Sequence, residues 1–196
     1  MTEESSSRAE ARPQRHRISI ADYHRMAALG LLGADAPLEL IEGAIFDLAP
    51  ASPAHRSTVR RLEERLRAAV NGQASVLRHA PMRLGADSEP APDLAVVRSG
   101  RNGAHPRQPS AADALLVIEV SDATWHYDHD TKVPFYGRHG IPEVWLLDLT
   151  SSTVHFFRAL TAGRYADESV TEHPGVTFLP GLTEAAVDLA GLFSGA

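Results

Sequence analysis

The chain contains no cysteine. It can therefore form neither a disulfide nor a thiolate metal site, and a reducing compartment suits it. No apolar run approaches the roughly 20 residues that cross a bilayer. Residues 1–17 are polar and lack the apolar centre of a signal peptide, so they read as a disordered leader. These absences predict a cytoplasmic protein with no membrane partner. Basic charge is also short. Nineteen Lys and Arg stand against 25 Asp and Glu, a formal net charge of −6, which gives no overall support for a polyanionic partner. The motifs GxxxxGK, GxGxxG, GxSxG and HExxH are all missing. Nucleotide hydrolysis, dinucleotide binding and serine esterase chemistry thus lack a motif to rest on.

What is present fits one domain over residues 18–196, long enough for a sizeable core. Ser19 to Leu31 predicts a helix capped by Ser19. Leu38 to Phe46 predicts a hairpin turning near Glu42-Gly43. Ser52-Pro53 opens the clearest helix, with Val59, Leu62, Leu66 and Ala69 at helical spacing and Gly72 just past its end. Ala74 to His79, Asp93 to Val97, Ala114 to Ser121 and Glu143 to Asp148 predict strands. The second and third are almost continuously apolar, as central strands covered on both faces are. Ser99 to Ser110 predicts a loop, and Asp128 to His139 a helix with Pro134 in its first turn. Val154 to Arg158 and Arg164 to Val170 predict an antiparallel pair, and Leu182 to Phe193 a short apolar tail segment. The order implies an α/β (α+β) fold with a mixed central sheet flanked by helices.

One strand carries the functional signal. Ala114 to Ser121 places Glu119 inside an otherwise apolar run, where an unneutralised charge is costly. Asp93 opens the other apolar run. Two acids on neighbouring strands can share a divalent cation such as Mg²⁺ or Mn²⁺, which takes oxygen ligands. A metal there polarises a phosphoryl oxygen and acidifies a bound water. Lys132 completes the set by orienting that water, deprotonating it or stabilising developing negative charge.

The pattern Pro92-Asp93, Ile118-Glu119-Val120-Ser121, Asp128-x-x-x-Lys132-x-x-x-Tyr136 and Gly140 to Asp148 resembles the Uma2 family, described as restriction endonucleases within the PD-(D/E)XK nuclease superfamily. Leu38-Glu39-Leu40-Ile41-Glu42-Gly43 and Pro50-x-x-Pro53-x-His55 match as well, so the resemblance covers roughly residues 18–192. It implies a restriction-endonuclease-like fold with Asp93 and Glu119 as metal ligands on adjacent strands. It implies Glu39 as an additional catalytic acid, Asp128 as a support for Lys132, and Tyr136 on the same helix face. The superfamily places a lysine two residues after the second acid. Here that position is Ser121, a hydrogen-bond donor without charge and a candidate substrate contact, and the resemblance implies that the lysine has moved to position 132.

Substrate contacts are sought where positive charge gathers. Arg56, Arg60, Arg61, Arg65 and Arg67 share one predicted helix, and Arg98, Arg101 and Arg107 share the following loop region. Arg56, Arg60 and His55 at the helix start are candidate phosphate contacts, because a helix N-terminus receives anions. A solvated helix face explains any single arginine as well. The cluster His126, His129 and Asp130 reads as a polar loop, Trp145 as core, and Trp125 as exposed. Two functions stay open. One is a Mg²⁺-dependent endonuclease acting on DNA, with a homodimer as the simplest way to cut both strands. The other is an inactive nuclease-fold module that binds nucleic acid or another partner.

Overall fold

The computed structural model describes residues 14–33, 36–99 and 108–194. Residues 1–13 of the leader expected over 1–17, and residues 100–107 of the loop expected over 99–110, with Arg101 and Arg107, lie outside the described residues.

The first helix, α1 (Ile20–Ala28), starts where predicted, with the Ser19 side chain accepting from Asp22 N, but stops before Leu31. Strands β1 (Leu38–Ile41) and β2 (Ala44–Asp47) form the expected hairpin. Glu42 and Gly43 both take positive φ there, as a two-residue turn that matches strand twist requires. A Cβ at Gly43 would stand 2.5 Å from Arg17 Cβ, so only glycine fits. Helix α2 (Pro53–Val70) is capped by Ser52, whose hydroxyl accepts from His55 N. It ends at left-handed Asn71. Its buried stripe is Val59, Leu62, Leu66 and Val70, with Ala69 only partly buried beside it.

A six-stranded sheet follows, in the order β3 (Ala74–Arg78), β4 (Leu94–Arg98), β5 (Ala114–Ser121), β6 (Val144–Asp148), β7 (Thr153–Thr161) and β8 (Arg164–Thr171). Only β5 and β6 run parallel, so the sheet is mixed, as expected. Every residue of β5 is buried. One face of the sheet packs on α2 and on the C-terminal segment. That segment contains a small antiparallel pair, β9 (Val176–Phe178) with β10 (Ala186–Asp188). The other face packs on the β5–β6 crossover and on Ile41, Met82 and Leu84. Among the described residues no helix is long and apolar enough to cross a membrane.

The crossover differs from expectation. It begins at α3 (Trp125–Tyr127), passes through a π-helical turn over Asp128–Lys132, and continues as α4 (Val133–Arg138). Pro134 lies in the first turn of α4, as expected, but α4 continues a helical run that starts at Trp125, nine residues before Pro134. Proline lacks an N–H and collides with the carbonyl one α-turn back. The widened turn, closed by Val133 N bonding back to Asp128 O, absorbs that conflict in place of a break. It also buries Asp128 and Lys132 while leaving Asp130 and Pro134 exposed. His126, His129 and Asp130 are thus helical and not loop residues.

Candidate active site

The β4–β5 register makes the centre. Leu94 stands opposite Ile118, so Asp93, one step before Leu94, meets Glu119. Asp93 N donates to Glu119 Oε2 at 3.4 Å, and Val120 N donates to Asp93 Oδ2 at 2.8 Å. The crossover helix lays Lys132 over this pair, with Nζ 2.7 Å from Glu119 Oε1 and 3.2 Å from Glu39 Oε1. Tyr136, one turn later, donates to the same Glu119 oxygen at 2.5 Å. Glu39 arrives from the β1–β2 hairpin, where Ala91 N also donates to its Oε1. An edge-strand glutamate would face solvent, but Glu39 is 0% exposed, Glu119 3% and Lys132 4%. Lys132 is the only lysine in the chain, against 18 arginines.

Two acids, Glu39 and Glu119, contact one ammonium, with Asp128 near it and Asp93 beside Glu119. Burial opposes the Lys132 charge, but Glu119, Tyr136, Glu39 and Asp128 outweigh burial and hold its pKa well above the ordinary value. Burial pushes Glu119 up to about 8, because Lys132 offsets only part of the desolvation and Asp93 adds repulsion. Lys132 is therefore held as an ammonium, in direct contact with both Glu119 and Glu39. The centre then carries more acid than base, and either protons or a cation must balance it.

Other predicted residues take distinct places. His55 reaches Asp93, with Nε2 3.1 Å from Oδ2. Burial would lower its pKa, but the hydrogen bond and charge of Asp93 raise it overall. Asp128 accepts from the Thr124 hydroxyl at 2.6 Å. Burial raises its pKa against the pull of Lys132. Ser121, expected at the substrate, is fully buried instead. Its hydroxyl lies 3.4 Å from that of Thr124, so it braces the Thr124–Asp128 contact. Arg56 donates to Ala51 O at the start of α2, and Arg60 is exposed one turn later. Neither lines the site. Arg61 and Arg65 leave the candidate phosphate face altogether, because they donate to the C-terminal carbonyls of Ser194, Asp188 and Ala190. Trp125 is half-buried and stacks on His129, with ring centroids 5.1 Å apart, and Trp145 is core.

Sequence reasoning missed two residues. His79, directly after β3, has Nδ1 3.6 Å from Asp93 Oδ1. Tyr127 packs on Phe46 at the cavity wall. Neither carried a motif. Their only signal was adjacency to elements that hold an acid.

A cavity of about 250 Å³ lies above the centre, lined by Glu39, His55, Asp93, Glu119, Asp128 and Lys132 among others. Among the described residues, no three His, Asp or Glu side chains are placed to hold an ion unaided. Mg²⁺ needs less, because it keeps several waters and uses one or two carboxylates. On that standard the donors fit. Asp93 and Glu119 each have one oxygen held only by a contact of 3.4 Å or longer. Glu39 Oε2 is buried without any hydrogen-bond partner, a costly state for an anionic oxygen unless a cation or water answers it.

The family model Uma2, described as "Putative restriction endonuclease", matches residues 20–190. No curated protein matches the chain. Among solved structures, the fold is similar to that of "a putative nuclease belonging to DUF820 from Anabaena variabilis ATCC 29413", with a TM-score of 0.68 and 20% identity. The match covers 90% of this chain and 98% of the other.

Proposed function

Because the chain belongs to the Uma2 family of restriction-endonuclease-like proteins, we propose that it is an endonuclease that hydrolyses phosphodiester bonds of DNA with Mg²⁺ or Mn²⁺. The supporting observation is the buried acid–lysine centre lining the cavity: Glu119 and Glu39 on the only lysine, with Asp93 beside Glu119. Asp93 and Glu119 would hold the ion. When bound, such an ion supplies Lewis-acid polarisation of a phosphoryl oxygen and a more acidic water.

The chain's own groups supply the rest. Hydrolysis forms a bond from a water oxygen to phosphorus and breaks one ester P–O bond. The water loses a proton, and the departing oxygen gains one. Glu39 Oε2, free of other partners, accepts a hydrogen bond from that water. Lys132 stays an ammonium, so it donates to negative oxygen and does not act as a base. Tyr136 fixes the Glu119 carboxylate through its short hydrogen bond.

The direct test is cleavage of labelled single- and double-stranded DNA with Mg²⁺ or Mn²⁺ by the parent, Glu119→Ala and Lys132→Ala proteins. Cutting by the parent alone is the expected result, and equal cutting by all three overturns the reading. The rival reading, a fold that binds without cutting, draws support from Glu119 Oε1 being committed to both Lys132 and Tyr136. Thermal stabilisation by Mg²⁺ that disappears in Asp93→Ala separates the two.

Acidity gives a second expectation. With Glu119 pushed up to about 8, an ion must displace its proton at lower pH. Mg²⁺ affinity should therefore rise between pH 5 and 8, by up to about tenfold per pH unit. Calorimetry in buffers of different ionisation enthalpy would show the released proton. A pH-independent affinity would show that Glu119 is not a ligand.

A further inference from the structure

The route to the acids limits what can reach them. Glu39, Glu119 and Lys132 are almost wholly buried, and the approach described above is a cavity of about 250 Å³. A duplex carries its phosphates on the outside of a stiff rod. It cannot place one phosphate on such a floor unless the walls part widely. A single strand can, because each nucleotide rotates about its own backbone and its base can leave the stack.

The walls suit an unpaired nucleotide. Pro37, Leu48 and Pro50 bring apolar surface from the segments flanking the β1–β2 hairpin, and Tyr127 brings a ring from α3. Phe46 packs against that ring with centroids 5.2 Å apart, which fixes its position. Ser52, His79 and Thr124 add polar groups to the same lining. Such a wall suits a ligand with both flat apolar surface and polar edges. A nucleobase with its sugar has both.

Charge points the same way. Lys132 is the only Lys or Arg lining the cavity among the described residues, and Asp122 and Asp128 line it too. Among the described residues, the lining offers the paired backbone of a duplex no cationic track. Arg56 stands just outside, bonded to the cavity residue Ala51, where it can meet a phosphate of the strand leaving the cavity.

We propose that the substrate is a DNA strand unpaired at the cleavage point, with one nucleotide seated in this cavity against Tyr127. The inference rests on the nuclease reading above and narrows it. The test compares a labelled duplex containing a central mismatched bubble with the fully paired duplex and the single strand, in Mg²⁺ or Mn²⁺. Cuts should fall within the bubble and along the single strand. The paired duplex should be cut at least about tenfold more slowly, the scale of one lost base-stacking contact. Tyr127→Leu, which removes the aromatic ring, should raise KM for the single strand severalfold, with a smaller effect on kcat. Equal cutting of paired and bubble DNA overturns the inference and leaves the nuclease reading standing. An unchanged KM in Tyr127→Leu overturns the seating against Tyr127. No cutting of any of the three overturns both readings together.

Discussion

Lys132→Met is expected to lower DNA cleavage by at least about a hundredfold, the lower end of what one positioned proton-handling or charge-stabilising group contributes. Methionine keeps the length and apolar stem of lysine and removes the ammonium. Glu119 Oε1 then retains only the Tyr136 hydroxyl, and Glu39 Oε1 only Ala91 N. Lys132→Arg should restore little. A guanidinium is planar and broad, whereas the space between Glu39 and Glu119 holds a compact cation at 3.2 and 2.7 Å. A variant with parental activity at position 132 would remove the lysine from the mechanism.

The same change should cost stability. Removing one partner of a buried ion pair typically costs about 3–5 kcal/mol. The cost should depend on pH in a defined direction. Glu119 is already held up to about 8 with the ammonium present, and losing the ammonium raises it further. An acid whose folded pKa is raised stabilises the fold at low pH and loses that contribution as pH climbs from the unfolded toward the folded value. That further rise moves only the upper end of the window, so denaturant unfolding should show a larger deficit for Lys132→Met at pH 9 than at pH 7. The intrinsic Lys132 contribution does not vary over that range, because its own pKa is raised well above 10.5.

Much of the centre was legible because a charge stands out in an almost continuously apolar strand. Glu119 within an apolar run and Asp93 at the head of another were visible as anomalies, and the β4–β5 register makes them neighbours. Glu39 was visible for the same reason in a shorter strand. The partners of these acids were not derivable from local pattern. That Lys132 points back across the sheet face depends on the π-turn, and that turn depends on how Pro134 is accommodated. A plain α-helical reading placed Pro134 in the first turn and began the helix too late. One signal bearing on Lys132 was nonetheless present in composition. A chain that uses arginine at 18 positions and lysine at one has a position where arginine is not interchangeable. The arginines of α2 show the opposite case. Their clustering suggested one phosphate-facing surface, yet Arg61 and Arg65 hold the C-terminal carbonyls, and only the tertiary fold reveals that division. Ser121 misled for a related reason. Its motif position implied the substrate, but the end of a fully covered strand is buried.

Glu119→Gln should separate stability from function more sharply than any other single change. Glutamine keeps the shape and an oxygen that can accept from Tyr136, and it cannot ionise. Lys132 keeps its contact with Glu39 at 3.2 Å. In the parent without divalent ions, the raised Glu119 pKa means that the folded state holds a proton which the unfolded chain has already lost between pH 4.5 and about 8. Parental stability therefore falls across that window, at a slope of at most about 1.4 kcal/mol per pH unit from this one group. Glu119→Gln lacks that slope, so its stability relative to the parent should improve steadily as pH rises from 5 to 8 in EDTA. In Mg²⁺ the order should turn, because the ion stabilises only a fold that can bind it. The variant should show neither the Mg²⁺-dependent rise in Tm nor cleavage. A Glu119→Gln protein that tracks the parent at every pH in EDTA would mean that Glu119 is not held protonated by burial. One that keeps the Mg²⁺ response would move the ion elsewhere, with Glu39 Oε2 the next unpartnered oxygen to substitute.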